Sequence, residues 1–344
     1  MQRARWVMVG CTVVAWMAAA SCTSIKKGLG LRTDLKDKKI KSVSVQTLPK
    51  GAACPGDKLQ LVVKVAVEGG EPLVTEGVGD GKLLWTSLKV ESDGAVRVKQ
   101  ADDNLVAVLS QDGKALTTTP PVLNVTSPEN KNVLLEAAPI EVKFNCKLVA
   151  DYSGPDGREG RGGQQGYNAQ RDWENGGDGS QGGTGDSGKR GDNVMAQATV
   201  VVPTKENRPF LQVCTQGKVE RNLRCYFVDT DGGSLVLDAR GGAGGKGGTG
   251  GSAGSGGRQG RSGNAGRGGA GGDGGEGGTV TLVMDPAVEP YRKLIKIKTG
   301  GGKGGKEGSM PGLAFGFGGG DLSGRDGYDG PDPEIRVEPV APLW

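Results

Sequence analysis

From Lys41 onward, short runs rich in valine and leucine alternate with breaks of Gly, Pro, Asp and Asn: KSVSVQTL, DKLQLVVKVAV, GKLLWTSLKV, GAVRVKQ, NLVAVLS, PPVLNVTS, NVLLEA and PIEVKFNCKLVA. Strand-like runs at intervals of roughly ten residues predict an antiparallel β-sandwich of immunoglobulin-like size over residues 42–150. Within the second run Leu59, Leu61, Val63, Val65 and Val67 occupy alternate positions and are expected to share one face. Trp85 reads as an anchor of that core, the other reading being ligand stacking.

Beyond residue 140 the texture changes, and one order recurs three times: an apolar run, a glycine-rich tract, another apolar run. EVKFNCKLVADYSG leads into residues 154–191, which leave through NVMAQATVVVP; GSLVLDARGG leads into 241–278, which leave through GTVTLVMDP; RKLIKIKTGGG leads into 300–330, which leave through PEIRVEP. Residues 151–344 are therefore expected to form a glycine-rich domain of three strand–tract–strand units, about 140–202, 234–285 and 292–338. Each tract is an excursion from a β scaffold that returns to it. The fold class is mainly β, with almost no α-helix. Between the first two units, FLQVCTQGKVERNLRCYFV reads as a hairpin.

Glycine stands at every third position from Gly242 to Gly278. An extended polyproline-II strand has about three residues per turn and rises about 3.1 Å per residue. One of its three faces is then all glycine, and a neighbouring backbone can approach and bond laterally. GGx leaves two faces bare and Gxy only one. Residues 241–251 and 268–278 are GGx, while 252–267 are mostly Gxy. Two doubly bare arms are therefore expected around a middle that lies at an edge or turns. The first tract breaks at YNAQRDWEN, which would be its reversal. Collagen needs the same period but is rich in proline, and residues 241–278 contain none. Disorder is the remaining alternative, since ordering glycine costs much entropy.

This layout resembles the polyglycine-II bundles of snow-flea antifreeze protein and of glycine-rich phage adhesin tips, over residues 154–191, 241–278 and, less well, 300–330. The strand endings DARG and GGTVT are also similar to those of glycine-rich secreted lipoproteins of myxobacteria. The resemblance concerns architecture. It does not carry ice binding, because the third-position residues from 243 onward include Lys, Arg, Asp and Glu. In the adhesins, recognition residues occupy loops at the bundle end. The corresponding positions here are the reversal with Tyr167 and Trp173 and the apolar patch of Met310, Leu313, Phe315 and Phe317; the patch either caps the bundle or forms an exposed contact surface.

The N-terminus, MQRARWVMVGCTVVAWMAAASC, has a basic start, an apolar stretch from Trp6 to Ala20 and small residues before a cysteine. It resembles a bacterial lipoprotein signal over residues 1–21, although Ala19 stands where Leu is usual. Cys22 would be lipidated, residues 22–41 would be a tether, and Thr23 rather than Asp points to the outer membrane of a Gram-negative bacterium. Plain secretion and a retained anchor are the alternatives. Removing residues 1–21 takes Arg3 and Arg5 from 43 basic side chains and nothing from 39 acidic ones, leaving about +2. Such a surface gives no nucleic-acid footprint. Cys54, Cys146, Cys214 and Cys225 remain, an even number in an oxidising compartment. Four cysteines allow three pairings. Cys214–Cys225 flanks the hairpin and Cys54–Cys146 brackets one domain; free buried thiols are the alternative.

Catalysis finds little support. The chain has no histidine, which excludes His-based triads and His-containing metal sites. DTDGG, Asp229 to Gly233, lacks the full spacing of a calcium loop and reads as a strand turn. GGAGGKGGTG is no phosphate loop, because Gly247 follows Lys246. No catalytic residue, metal or cofactor is expected. The sequence points to a non-enzymatic envelope lipoprotein with a structural or adhesive role. Its partners would be the membrane through its lipid and an envelope assembly or surface glycan. The second reading is a glycan- or protein-recognition module that uses the loops at the bundle end.

Overall fold

A computed structural model describes residues 32–343 apart from 37, 93, 102, 129–132, 204–207, 220 and 313–321. The chain divides into two compact units, Met1–Lys143 and Phe144–Trp344. Both are built from β-sheets. The single α-helix among the described residues is the short α1, Gly113–Thr118, N-capped by the Asp112 carboxylate.

In the first unit β1 (Ile40–Leu48), β2 (Lys58–Val67), β6 (Asn104–Leu109) and β5 (Val96–Ala101) form one antiparallel sheet, with β3 (Leu73–Val74) also on β2. A second antiparallel sheet runs β4 (Lys89–Ser92), β7 (Val122–Ser127), β8 (Val133–Pro139). Leu59, Leu61, Val63 and Val65 are buried as their alternation predicts, and Val67 is half-buried. Val62, on the opposite face, is buried too. The chain after β3 lies over it, close enough that a Cβ on Gly79 would come 3.2 Å from Val62.

Two expectations for this unit need correcting. GKLLWTSLKV is not one strand: Trp85–Ser87 form a 3-10 turn before β4. The turn sinks Trp85 into the core at 5% exposure and lets its indole N–H donate to the Asp103 carbonyl at 3.1 Å. The stretch expected as a tether is docked from Arg32 onward. Arg32 pairs with Glu76, Thr33 bridges to Leu83, and Leu35 is buried with its amide donating to the Ser87 hydroxyl. An apolar side chain at 35 gives the segment something to bury, so it does not stay free.

The second unit begins at Phe144, so residues 144–150, expected in the sandwich, stand with the glycine tracts. The reason is pairing: β9 (Lys147–Asp151) takes β13 (Ser234–Asp238) as its parallel partner, and β13 takes β15 (Ile295–Lys298). A second sheet sets β10 (Val194–Val201), β14 (Val280–Met284) and β16 (Glu334–Val337) parallel. The hairpin β11 (Phe210–Gly217) and β12 (Arg224–Asp229) extends it beyond β10. Phe144 packs edge-on against Phe210 and Phe227, with ring centres 5.8 and 6.2 Å away.

The glycine tracts continue these sheets. β9, β13 and β15 run out into arms 1 (154–166), 3 (241–254) and 5 (300–309). Arms 2 (176–191), 4 (263–278) and 6 (322–330) run back into β10, β14 and β16. Every third residue of an arm donates its amide to the next arm of its own row, in parallel: Gly154, Gly157, Gly160, Gly163 and Gly166 to Arg240, Ala243, Lys246, Thr249 and Ser252. Another set, also three apart, donates to the preceding arm, antiparallel: Gly242, Gly245, Gly248 and Gly251 to Lys189, Asp186, Gly183 and Ser180. The outcome is two rows, 1–3–5 and 2–4–6, with arms 3 and 4 each bonded to four others.

Candidate functional site

The arms meet with no side chain between them. A Cβ on Gly242, Gly245 or Gly248 would strike a carbonyl of arm 1, and one on Gly241, Gly244 or Gly247 a carbonyl of arm 4, all under 3.0 Å. The GGx stretches, 241–251 in arm 3, 268–278 in arm 4 and the start of arm 5, lie where backbones approach from both glycine faces; arms 1 and 6 are Gxy. Side chains therefore appear only on the two outer faces, at the margins and at the reversals.

A recurring contact fixes the register within each row. An Asp or Asn side-chain oxygen accepts the amide of a residue on the parallel neighbour, while the amide of the next residue donates to that same residue's carbonyl. Asp156 and Gly157 hold Ala243 in this way; Asn168 and Ala169 hold Ser255; Asn175 and Gly176 hold Arg261. Asp178 and Gly179 hold Asn264, Asn193 and Val194 hold Thr279, and Asp273 and Gly274 hold Arg325. The side-chain bonds span 2.6–3.3 Å. They satisfy outward-pointing amides that have no partner arm. The Arg325 amide, then its guanidinium, holds the Asp273 carboxyl below the ordinary 3.8.

The margins of row 1–3–5 are closed. Gly301 and Gly304 of arm 5 correspond to Gly241 and Gly244, which donate to the next arm of the row. Here they donate at 2.8 Å to the carboxylates of Asp329 and Asp326 on arm 6. The Lys303 ammonium reaches Asp326 at 2.7 Å and, with the Gly304 amide, holds that carboxyl below its ordinary value. At the other margin the positions equivalent to Gly242, Gly245, Gly248 and Gly251 carry Pro155, Arg158, Arg161 and Gln164. Their side chains stand where a further arm would have to lie.

The reversals of the first two tracts come at 170–173 and 258–260. Tyr167 and Trp173 are 66% and 69% exposed. The Tyr167 ring lies over Gly177, where a Cβ would collide with it, and the Arg171 guanidinium sits 6.0 Å from the Trp173 ring centre. Met310 is half-buried after arm 5. Leu313, Phe315 and Phe317 lie outside the described residues, as does Cys22.

At the base of arms 1 and 2, Tyr152, Ser153, Arg190, Asp192, Lys218 and Val219 line part of a cleft of about 430 Å³. Its carboxylates are occupied locally. Asp192 accepts the amides of Asn193 and Val219, and Asp151 accepts the amide and hydroxyl of Ser153. The Tyr152 hydroxyl is bonded to Thr215 at 2.8 Å.

Cys214 and Cys225 form a disulfide across β11 and β12, where they stand directly opposite, and Cys54 and Cys146 are each disulfide-bonded. In DTDGG the Asp229 carboxylate is buried. It pairs with Arg208 at 2.7 Å and accepts the Asp231 amide, as a strand turn requires. Among the described residues no group of three or more Cys, Asp or Glu could hold a metal ion. Sequence reasoning missed the row-locking Asp and Asn residues. In four of the six the signal is Asp-Gly or Asn-Gly in register with the glycine period, a pair that elsewhere marks turns; Asn168-Ala169 and Asn193-Val194 lack even that. No family model, curated protein or solved structure matches the chain.

Proposed function

We propose that the six arms are polyglycine-II helices in a bundle, carried by a non-enzymatic lipoprotein of the cell envelope with a structural or adhesive role. The observation that carries this is the three-residue step of the lateral bonds, combined with margins sealed by Asp329, Asp326, Pro155, Arg158 and Arg161. A lattice bonded through its backbone on up to four sides yields little under load. The sealed margins of row 1–3–5 keep that row from adding arms from other copies, a hazard of any open edge. Its outer faces are free to carry any polar residue.

In this reading Cys22 is diacylated and holds the chain at the outer membrane of a Gram-negative bacterium. An envelope assembly or a surface glycan is the partner. Cells labelled with a palmitate analogue test it: the protein should carry label and sediment with outer membranes, and Cys22→Ser should lose both. Absence of label in the unaltered protein would overturn the lipoprotein reading.

The exposure of Tyr167 and Trp173 favours a second reading, recognition of a glycan or protein at the reversals. Tyr167→Ala with Trp173→Ala should then abolish partner capture and leave amide protection in the arms unchanged.

A further inference from the structure

Row 1–3–5 and the sheet it continues place their outward residues in columns. β15 alternates buried Ile295 with exposed Lys296, then half-buried Ile297 with exposed Lys298. Arm 5 continues the line. The Thr249 and Ser309 hydroxyls lie 3.3 Å apart, so 309 is on the outer face, and the three-residue step puts Lys306 and Lys303 there with it. The same step along arm 3 sets Lys246 beside Lys306. At about 3.1 Å per residue the line from Lys296 to Lys306 is roughly 31 Å long, with Lys303 and Lys306 about 9 Å apart.

These cations are not balanced within the column. Lys303 is paired with Asp326, and Arg240 with Asp238. Among the described residues Lys246, Lys296 and Lys306 are exposed with no carboxylate within ion-pair distance. Lys298, also exposed, stands opposite Asp238 on β13, and its charge helps Arg240 hold that carboxyl down, so it is partly offset. Glu159 is level with Lys246 on arm 1 and leaves it unpaired. The stripe is narrow and bounded by acids: Asp151, Asp156 and Glu159 on the arm 1 side, Asp326, Asp329 and Glu307 on the other.

We infer that this stripe binds a single linear anionic polysaccharide lying along arm 5. The occupant follows from the shape of the charge. A thin chain with one acidic group per sugar or per disaccharide can follow a straight line of ammonium groups at this spacing. A nucleic-acid duplex is wider than the stripe and would meet the flanking carboxylates. A lipid surface would find Thr249, Ser252 and Ser309 beside the lysines, where membrane contact calls for apolar side chains. The carboxylate or sulfate of the polymer supplies the anion in either case. The inference rests on the envelope reading for access to such a polymer. A failure to bind in solution would leave the palmitate labelling untouched, so the two can fail separately.

The test uses the purified full chain with a defined linear oligogalacturonate and a size-matched heparin fragment, by calorimetry at low salt. Binding of either supports the proposal, and the one bound more tightly identifies the acid. Affinity should fall steeply with added salt. The pair Lys246→Glu and Lys306→Glu should weaken binding by about tenfold or more, whereas Arg158→Glu with Arg161→Glu at the margin should change it by less than about twofold. Lys246→Gln with Lys306→Gln repeats the test without charge reversal. Glycine amide protection shows in each variant that the arms remain formed. No binding of either oligosaccharide, equal losses in the two pairs, or tighter binding to anionic vesicles or duplex DNA would overturn the proposal.

Discussion

Strand β2 and arm 3 solve the same problem in opposite ways. Both must satisfy every backbone amide and carbonyl while shedding water. In β2 the ladder to β1 and β6 does the first, and the buried side chains of Leu59, Leu61, Val63 and Val65 do the second. In arm 3 neighbours on up to four sides take the backbone groups, and carbonyls fill the space that side chains would occupy. The first arrangement is specified by which apolar residue is present. The second is specified by where no side chain is, so the pattern of mutational tolerance should invert between the two regions.

The sharpest way to break that comparison is Gly245→Val. The new side chain would point at the Arg158 carbonyl, with backbone rather than a flexible tip in its path. A loss of at least about 3 kcal/mol, or failure of the second unit to fold, is expected. Lys246→Val, one residue on, should stay within about 0.5 kcal/mol because its side chain is exposed. Denaturation monitored by exchange of the glycine amides checks both. Equal effects would mean that arm 3 does not pack through its glycines.

The mirror experiment in β2 removes atoms where Gly245→Val adds them. Leu61 is fully buried, and Leu61→Ala should cost about 2–5 kcal/mol through lost transfer energy and a cavity. Leu61→Met should cost less than about 1.5 kcal/mol, since volume is nearly kept. A lattice glycine admits no such conservative replacement. Chemical denaturation of the first unit's transition measures the contrast, and a Met cost as large as the Ala cost would remove it.

How much of this was legible depends on which group carries the information. The period of three and the GGx segments are written in the sequence, because glycine is the only residue that fits against a neighbouring backbone. They separated arms 3 and 4 from the reversal at 258–260. The Val and Leu alternation likewise marked β2. Row order was not legible. Whether arm 1 bonds to arm 3 or arm 5 depends on lateral pairing over long sequence distances, to which glycine contributes no distinguishing side chain. The residues that do distinguish, Asp156, Asn175, Asp178 and Asp273, look like turn formers when read alone. The 3-10 turn at Trp85 was hidden for a different reason. GKLLWTSLKV has a strand-like composition, and only the burial of the indole and its bond to Asp103 bend it. The docking of Leu35 was masked by the lysines around it.

Asp273, which locks a row, and Asp326, which seals a margin, offer the finest test, with the smallest expected effect. The Asp273 carboxyl is held below 3.8 by the Arg325 amide and then its guanidinium, and that of Asp326 by Lys303 and then the Gly304 amide. Both values are depressed in the folded chain relative to the unfolded one. Their contribution is therefore in place above about pH 4 and lost as pH falls through the depressed values. Denaturation midpoints of the second unit should be flat with respect to these two groups from neutrality to about pH 4, then decline. Asp273→Asn keeps a carbonyl oxygen for the Arg325 amide, as Asn168, Asn175 and Asn193 already do for their partners. It should remove part of the acid decline while leaving the neutral midpoint close to that of the parent. Asp273→Ala should lower the neutral midpoint slightly and speed exchange of the Arg325 amide at every pH. If the Asn variant keeps the whole acid limb, the charge of Asp273 adds nothing to its bond with the Arg325 amide; if Asp273→Ala also leaves exchange of that amide unchanged, glycine alone sets the register there.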